Sequence, residues 1–333
     1  MSGDTAPRVV EDYRGVIQIL SNGTILRSDP AVLRPPERFP DVPGVQWEDV
    51  VYDAAHGLKL RMYMPATVAG DGKKLPVLVY FHSGGFCLGS FEQPHFHSGC
   101  LRLASALPAV VLSADYRLGP EHRLPAAIDD AAAALSWLRG LAALGAAAHP
   151  WLAGSADLAK VFVAGESSGA NMSHHAAVRH GSGKLALDPL HVAGCVLVTP
   201  YFGGAERTAA EAEPPAAGAP FTADMSDKLW RLSLPAGATR DHPAANPFGP
   251  DSPALEPVAF PPVLVVSAGR DILHERVLRY AARLKEMGKP VELVVLEGQE
   301  HAFFARQPWS EGASELIRVV KSFVHKDNGA ERK

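Results

Sequence analysis

The chain has 333 residues, 47% apolar and 20% charged, an ordinary globular composition. Its 32 basic and 36 acidic residues leave a formal charge of −4 with no basic run, which argues against nucleic acid or an anionic membrane as partner. Cys87, Cys100 and Cys195 are odd in number and far apart, so they make neither a metal-like cluster nor a disulfide framework and point to a reducing compartment.

The opening "MSGDTAPRVVEDYRGV" lacks the apolar core of a signal peptide, and no apolar run approaches the ~20 residues of a membrane span. The expected location is cytoplasmic, with the nucleus also open. The first 40 residues are a short apolar stretch followed by prolines. Residues 45–52 and 58–64 read as antiparallel strands that open a sheet. Short β-branched runs follow at 77–81, 110–113, 161–164, 196–199, 263–267 and 291–296. Near-continuous apolar runs suit strands covered on both faces, as in a parallel sheet. Between them, "PAAIDDAAAALSWLRGL" (125–141) and "ILHERVLRYAARLKEMG" (272–288) read as helices. In the second, Leu273, Val277, Tyr280, Leu284 and Met287 share one face, and Gly288 with Pro290 ends it. Such alternation predicts an α/β sheet. Residues 203–220 ("GGAERTAAEAEPPAAGAP") read as a mobile loop, with a helix over 223–234 behind it. This segment and the N-terminal one are candidates for a lid. The alanine runs 131–134 and 146–148 reflect helix preference, and the tail 326–333 reads as disordered.

The chemistry gathers around "VFVAGESSGANMSHHAAV" (161–178). A sharp strand-to-helix turn strains its central residue, and side chains on either side would clash. Glycine at Gly165 and Gly169 removes that obstruction, so the Ser167 hydroxyl can project above the sheet as in a G-x-S-x-G nucleophile elbow. The helix behind it directs partial positive charge at a developing oxyanion. A serine needs an imidazole base that is itself oriented by a carboxylate. On this kind of sheet the order is Ser, then Asp or Glu, then His, each just past a strand's carboxyl end. Asp271 follows the run 263–267, and His301 follows 291–296, so both stand where the mechanism requires. Glu300 and His274 rank behind them.

A fourth part is "VLVYFHSGGFCLGS", in which the amides of Gly84 and Gly85, with that of Ser168, can form an oxyanion hole. His82 reads as a brace of that loop rather than a second base. The pairs His95/His97 and His174/His175 have no third partner at metal-ligand spacing and read as packing residues. Cys87 has no evident activator. No metal and no cofactor are expected.

These motifs together resemble the hormone-sensitive-lipase branch of the α/β-hydrolases and, within it, the plant carboxylesterases. "DYRLGPEHRLPAAIDDA" (115–131) is similar to a signature of that group, which usually has alanine where Gly119 stands. The resemblance implies one domain over 1–333 with a mostly parallel eight-stranded sheet and helices on both faces. It also implies a small helical cap from about 1–44 and 203–250, and the triad Ser167, Asp271 and His301. The group's oxyanion motif is His-Gly-Gly-Gly, and here Ser83 replaces the first glycine. If that position needs positive φ, serine costs about 1–2 kcal/mol. "PHFHSGCLRLAS" and "YFGGAERT" look most like the strigolactone-hydrolysing members, which implies a small apolar ester or lactone as substrate, with Phe86, Phe221 and Trp230 as pocket residues. A homodimer is compatible with it. Two alternatives stay open: a receptor-like or sequestering protein with slow turnover, and a dehydratase of the same family. Receptors of the family lose the histidine that His301 supplies, and its dehydratases replace the serine with threonine.

Overall fold

The computed structural model describes residues 6–29, 38–66, 74–145 and 149–326. Three short strands come first: β1 (Val9–Tyr13), β2 (Ile17–Leu20) and β3 (Ile25–Arg27). They pair antiparallel as a small sheet of their own. The main sheet contains β4 (Val45–Asp53), β5 (Leu58–Pro65), β6 (Leu75–Phe81), β7 (Val110–Ala114), β8 (Ala156–Glu166), β9 (Val192–Val198), β10 (Val263–Ala268) and β11 (Val291–Leu296). Interleaved with these strands are α1 (Pro94–Ala106), α2 (Ala126–Leu144), α3 (Pro150–Ser155), α4 (Ser168–Gly181), α5 (Ala209–Ala212), α6 (Ala223–Ser233) and α7 (His274–Glu286). After β11 come α8 (Phe303–Arg306) and α9 (Glu311–Val324).

The eight strands run in the order β11-β10-β9-β8-β6-β7-β5-β4. Pairing is parallel from β11 to β7, and β5 is antiparallel to both of its neighbours. The mostly parallel eight-stranded sheet is thus the one expected. Strand periodicity divides its core in two. Along β9, Cys195 and Leu197 join the layer of Val277 and Tyr280 from α7, while Val196 and Val198 join the layer of Leu316 and Val320 from α9. Both faces are covered, which is why the central strands read as unbroken apolar runs. Parallel pairing also brings the carboxyl ends of β6, β8, β10 and β11 to one rim. In open α/β sheets ligands bind in the crevice outside that rim. Among the described residues, no helix is long and apolar enough to cross a membrane.

Three expectations need correction. The N-terminal part of the expected helical cap carries the strands β1 to β3 and no helix among its described residues; strands of three to five residues with the pattern "VVEDY" carry too little alternation to be read. The third central strand starts at Ala156, ahead of 161, and its pairing with β6 shifts register between Pro76 and Val77. The polar "ADLAK" half gives no apolar signal. Residues 203–220 include α5, where Thr208 and Glu211 form a reciprocal capping box and Glu211 is buried. The alanine run 146–148 and residues 327–333 of the tail lie outside the described residues.

Arg276 on α7 holds this insertion to the body of the protein. Its guanidinium donates to both Glu211 carboxylate oxygens, at 2.5 and 2.6 Å, and to the carbonyls of Gly203 and Glu206, at 3.0 and 2.7 Å. Arg276→Ala leaves a buried carboxylate without its bidentate partner, for an expected loss of about 3–5 kcal/mol in urea unfolding. Proteolysis between residues 203 and 220 should accelerate with it. An unchanged unfolding midpoint would show that this pair does not anchor the insertion.

Candidate active site

Glu166 ends β8, Ser168 begins α4, and Ser167 between them has φ 57° and ψ −116°. That backbone is strained for a residue with a side chain. The flanking glycines make it attainable by steric relief. A Cβ on Gly165 would stand 2.3 Å from the Gly169 carbonyl carbon, and one on Gly169 would stand 1.9 Å from the Phe81 carbonyl oxygen. The turn therefore closes against itself and against the end of β6.

The structure brings the three residues of the expected triad together. The Ser167 hydroxyl donates to Nε2 of His301 at 2.8 Å, and His301 Nδ1 donates to Asp271 Oδ2 at 2.7 Å. A carboxylate can only accept, so the nitrogen facing Asp271 carries the proton and Nε2 is left as acceptor. Asp271 is fixed in turn, since its other oxygen accepts the Leu273 amide at 3.0 Å. All three residues are at most 5% exposed. Such a row can take a proton from the serine as its oxygen attacks a carbonyl carbon. The two lower-ranked residues lie elsewhere: Glu300 pairs with Arg306, and His274 meets Ser267.

Gly84 and Gly85 follow β6 with φ of 136° and 60°. A Cβ at Gly84 would fall 1.9 Å from the Leu88 carbonyl oxygen. Among the described residues, the loop and turn hydrogen bonds use none of the amides of Gly84, Gly85 and Ser168. Ser83 is absent from the described residues with positive φ, so the strain that serine would carry there does not arise. His82 is a buried brace, as expected. Its Nδ1 donates to the Ser83 carbonyl at 2.8 Å, its ring stacks on Tyr116 at 4.3 Å, and its Nε2 faces Asp115 at 3.5 Å. The segment 115–131 is the scaffold of this loop. Asp115 accepts from the Phe91 amide and the Ser90 hydroxyl, Tyr116 donates to the His82 carbonyl, and Arg117 pairs with buried Asp130 at 2.7 Å.

Of the three expected pocket residues, Phe221 stacks on the His301 ring, with centroids 4.3 Å apart and planes at 21°. Phe86 and Trp230 are buried behind it against Tyr201, on which Trp230 stacks at 4.1 Å. Tyr201 was not singled out in the sequence, where nothing but its type marks it. Burial pushes Cys87 up to about 12, which leaves it an inert thiol. His97 sits between Tyr63 and Arg61 and is pushed down to about 4 by burial and then by the Arg61 charge. His174 meets the Tyr280 hydroxyl, and His175 faces the Ala244 carbonyl.

Glu166 is the other residue that sequence reading passed over, although a charge ending the apolar run "VFVAGE" was a signal. It is fully buried and accepts the amides of Phe304 and Ala305 at 3.1 and 3.0 Å. Burial pushes its carboxyl up from 4.5 to about 7, against the opposing pull of His301 and the two amides. A value raised on folding stabilises the fold fully below about 4.5, and this stabilisation is lost as the pH rises through about 7.

Comparison with known proteins places the fold in a family. Residues 78–305 match the alpha/beta hydrolase fold family. The chain belongs to that family. Among plant relatives, it is 38% identical over 267 residues to tuliposide A-converting enzyme 1, chloroplastic, of Tulipa gesneriana, covering 80% of this chain and 66% of that protein. It thus spans slightly less than two thirds of the tulip enzyme's length. The gibberellin receptor GID1C of Arabidopsis thaliana is 38% identical, covering 79% of this chain and 76% of that one. Probable carboxylesterase 2 of the same plant is 32% identical, covering 92% and 93%. An esterase of Pyrobaculum calidifontis superimposes with a TM-score of 0.71 at 31% identity, covering 84% of this chain and 85% of that one.

Two substitutions probe this α/β-hydrolase rim. Gly169→Ala drives a methyl into the Phe81 carbonyl and should cost about 1–3 kcal/mol or more. An unchanged urea midpoint would show that the elbow can move off β6. Ser83→Gly relieves no strain, so turnover of a short aryl ester should change by less than about tenfold; a hundredfold gain would contradict the backbone reading.

Proposed function

We propose that this α/β-hydrolase is a carboxylesterase acting on small apolar esters or lactones through an acyl-enzyme. The observation that carries the reading is the hydrogen-bonded row from Ser167 through His301 to Asp271. Ser167 Oγ attacks the carbonyl carbon while His301 Nε2 takes its proton. The oxyanion accepts hydrogen bonds from the amides of Gly84, Gly85 and Ser168, donors that count most when the charge is present. His301 then returns the proton to the departing alkoxide oxygen. In the second half it takes a proton from water, whose oxygen attacks the acyl carbon; the bond to Ser167 Oγ then breaks, His301 gives the proton to that oxygen, and the acid leaves. Asp271 holds the imidazole in one tautomer and stabilises its cation throughout. No step requires a metal or cofactor.

The aromatic side chains Phe86, Phe221, Trp230 and Tyr201 favour an apolar substrate. Within that class, a lactone of the strigolactone kind is the finer proposal, supported by the resemblance of residues 94–105 and 201–208. The N-terminal sheet and residues 203–250 serve as a cap over a single catalytic unit, a role supported by the Arg231–Glu11 pair at 2.9 Å and by Arg27 donating to the Cys87 carbonyl at 2.8 Å. The likeness to a gibberellin receptor favours a second reading, in which ligand is bound with little turnover. The complete row ending at His301 weighs against it, and Ser167 weighs against a dehydratase.

Ser167→Ala should lower kcat on a short aryl ester by about 10⁴-fold or more. Equal turnover by wild type and variant would remove the assignment. Mass spectrometry after incubation with plant lactones and acyl esters tests the finer reading, and a receptor-like protein would bind them without releasing product.

A further inference from the structure

Glu166 is a buried charge that the hydrolytic steps above leave unused. It lies one residue before Ser167, and strand alternation turns its side chain toward the layer that holds Phe162, Ala164, Phe303 and Phe304. There its two oxygens accept the amides of Phe304 and Ala305. Those amides are three and four residues beyond His301. Between them the chain reverses at Ala302, which has a left-handed backbone with φ 52°. Two consecutive residues of one strand end therefore grip one short segment: Ser167 meets its imidazole and Glu166 holds its backbone.

We propose that Glu166 is the positioning residue of His301, fixing the imidazole within hydrogen-bond reach of the Ser167 oxygen. The inference rests on the esterase reading of the site. The loop cannot shift away from β8 without breaking both amide bonds, and a displacement near 1 Å at a reacting group costs about a hundredfold in rate. The charge acts as well. His301 becomes a cation when it takes the serine proton, and Glu166 then joins Asp271 as a second carboxylate close to it. Among the described residues, the titratable groups that face Glu166 are His301 and Asp271 from the rim loops and Tyr80 from β6, whose buried hydroxyl has no hydrogen-bond partner among them. Because Glu166 is raised to about 7, it is mainly ionised above that pH and mainly neutral below it. Protonation takes away the charge that favours the imidazolium and turns one acceptor oxygen into a hydroxyl facing an N–H. The grip should then loosen as the pH falls.

The test compares wild type, Glu166→Gln, Glu166→Ala and Ser167→Ala on p-nitrophenyl acetate from pH 5 to 9, with thermal melts to establish folding. Glu166→Gln keeps the shape and one acceptor oxygen, so it carries the test even if the alanine variant does not fold. Its kcat should fall about 10- to 100-fold while KM stays within about threefold. The wild-type acid limb should show an inflection near 7 from Glu166, and the variant should lack it. A kcat within twofold of wild type in folded Glu166→Gln, a loss confined to KM, or an acid limb superposable on that of wild type would overturn the proposal. Ser167→Ala separates the two ideas. If it retains full activity, the esterase reading fails; if it is inactive while Glu166→Gln behaves as wild type, only the positioning role fails.

Discussion

A serine held at φ 57° and ψ −116° is a conformation that the chain adopts only because its surroundings compel it. The compulsion comes from β8 on one side and α4 on the other, and from the missing methyl groups of Gly165 and Gly169, whose places are filled by backbone. Much of the rim depends on this turn. It lifts the Ser167 oxygen toward His301 and leaves the Ser168 amide at the start of α4, while strand alternation along β8 sends the side chain of Glu166 into the core. One strained residue thus sets the direction of two groups at the rim.

The loop after β6 is rigid for a different reason. Its glycines allow the path, and buried polar contacts choose it. His82, Asp115, Tyr116 and Arg117 come from two strand ends that are neighbours in the sheet, and each has a partner that is itself held. The sequence 115–131 is thereby explained as support for the loop that carries the Gly84 and Gly85 amides.

The N-terminal sheet and the insertion after β9 meet the rim through aromatic stacking and guanidinium contacts. Phe221, from the segment beyond α5, lies on the His301 imidazole, while α5 just before it is tied down by Arg276 through Glu211. Arg27 reaches from β3 to the carbonyls of Cys87 and Gly119 and pairs with Glu121. Position of these two segments and geometry of the rim are thus linked through named contacts.

The amino-acid order by itself determined the alternation of strands and helices, the elbow at Ser167 and the rim positions of Asp271 and His301. Each of these is written locally, as an apolar run, a pair of glycines or a residue just past a strand. It did not determine the small sheet of β1 to β3, the early start of β8 or the anchoring of α5, because short strands and single ion pairs leave no periodic trace. The backbone of Ser83, the stacking of Phe221 on the imidazole and the grip of Glu166 were decided only by tertiary structure. They join residues 80 and 138 positions apart in the last two cases. A side chain's partner across such distances depends on how the layers pack, and no local pattern records it.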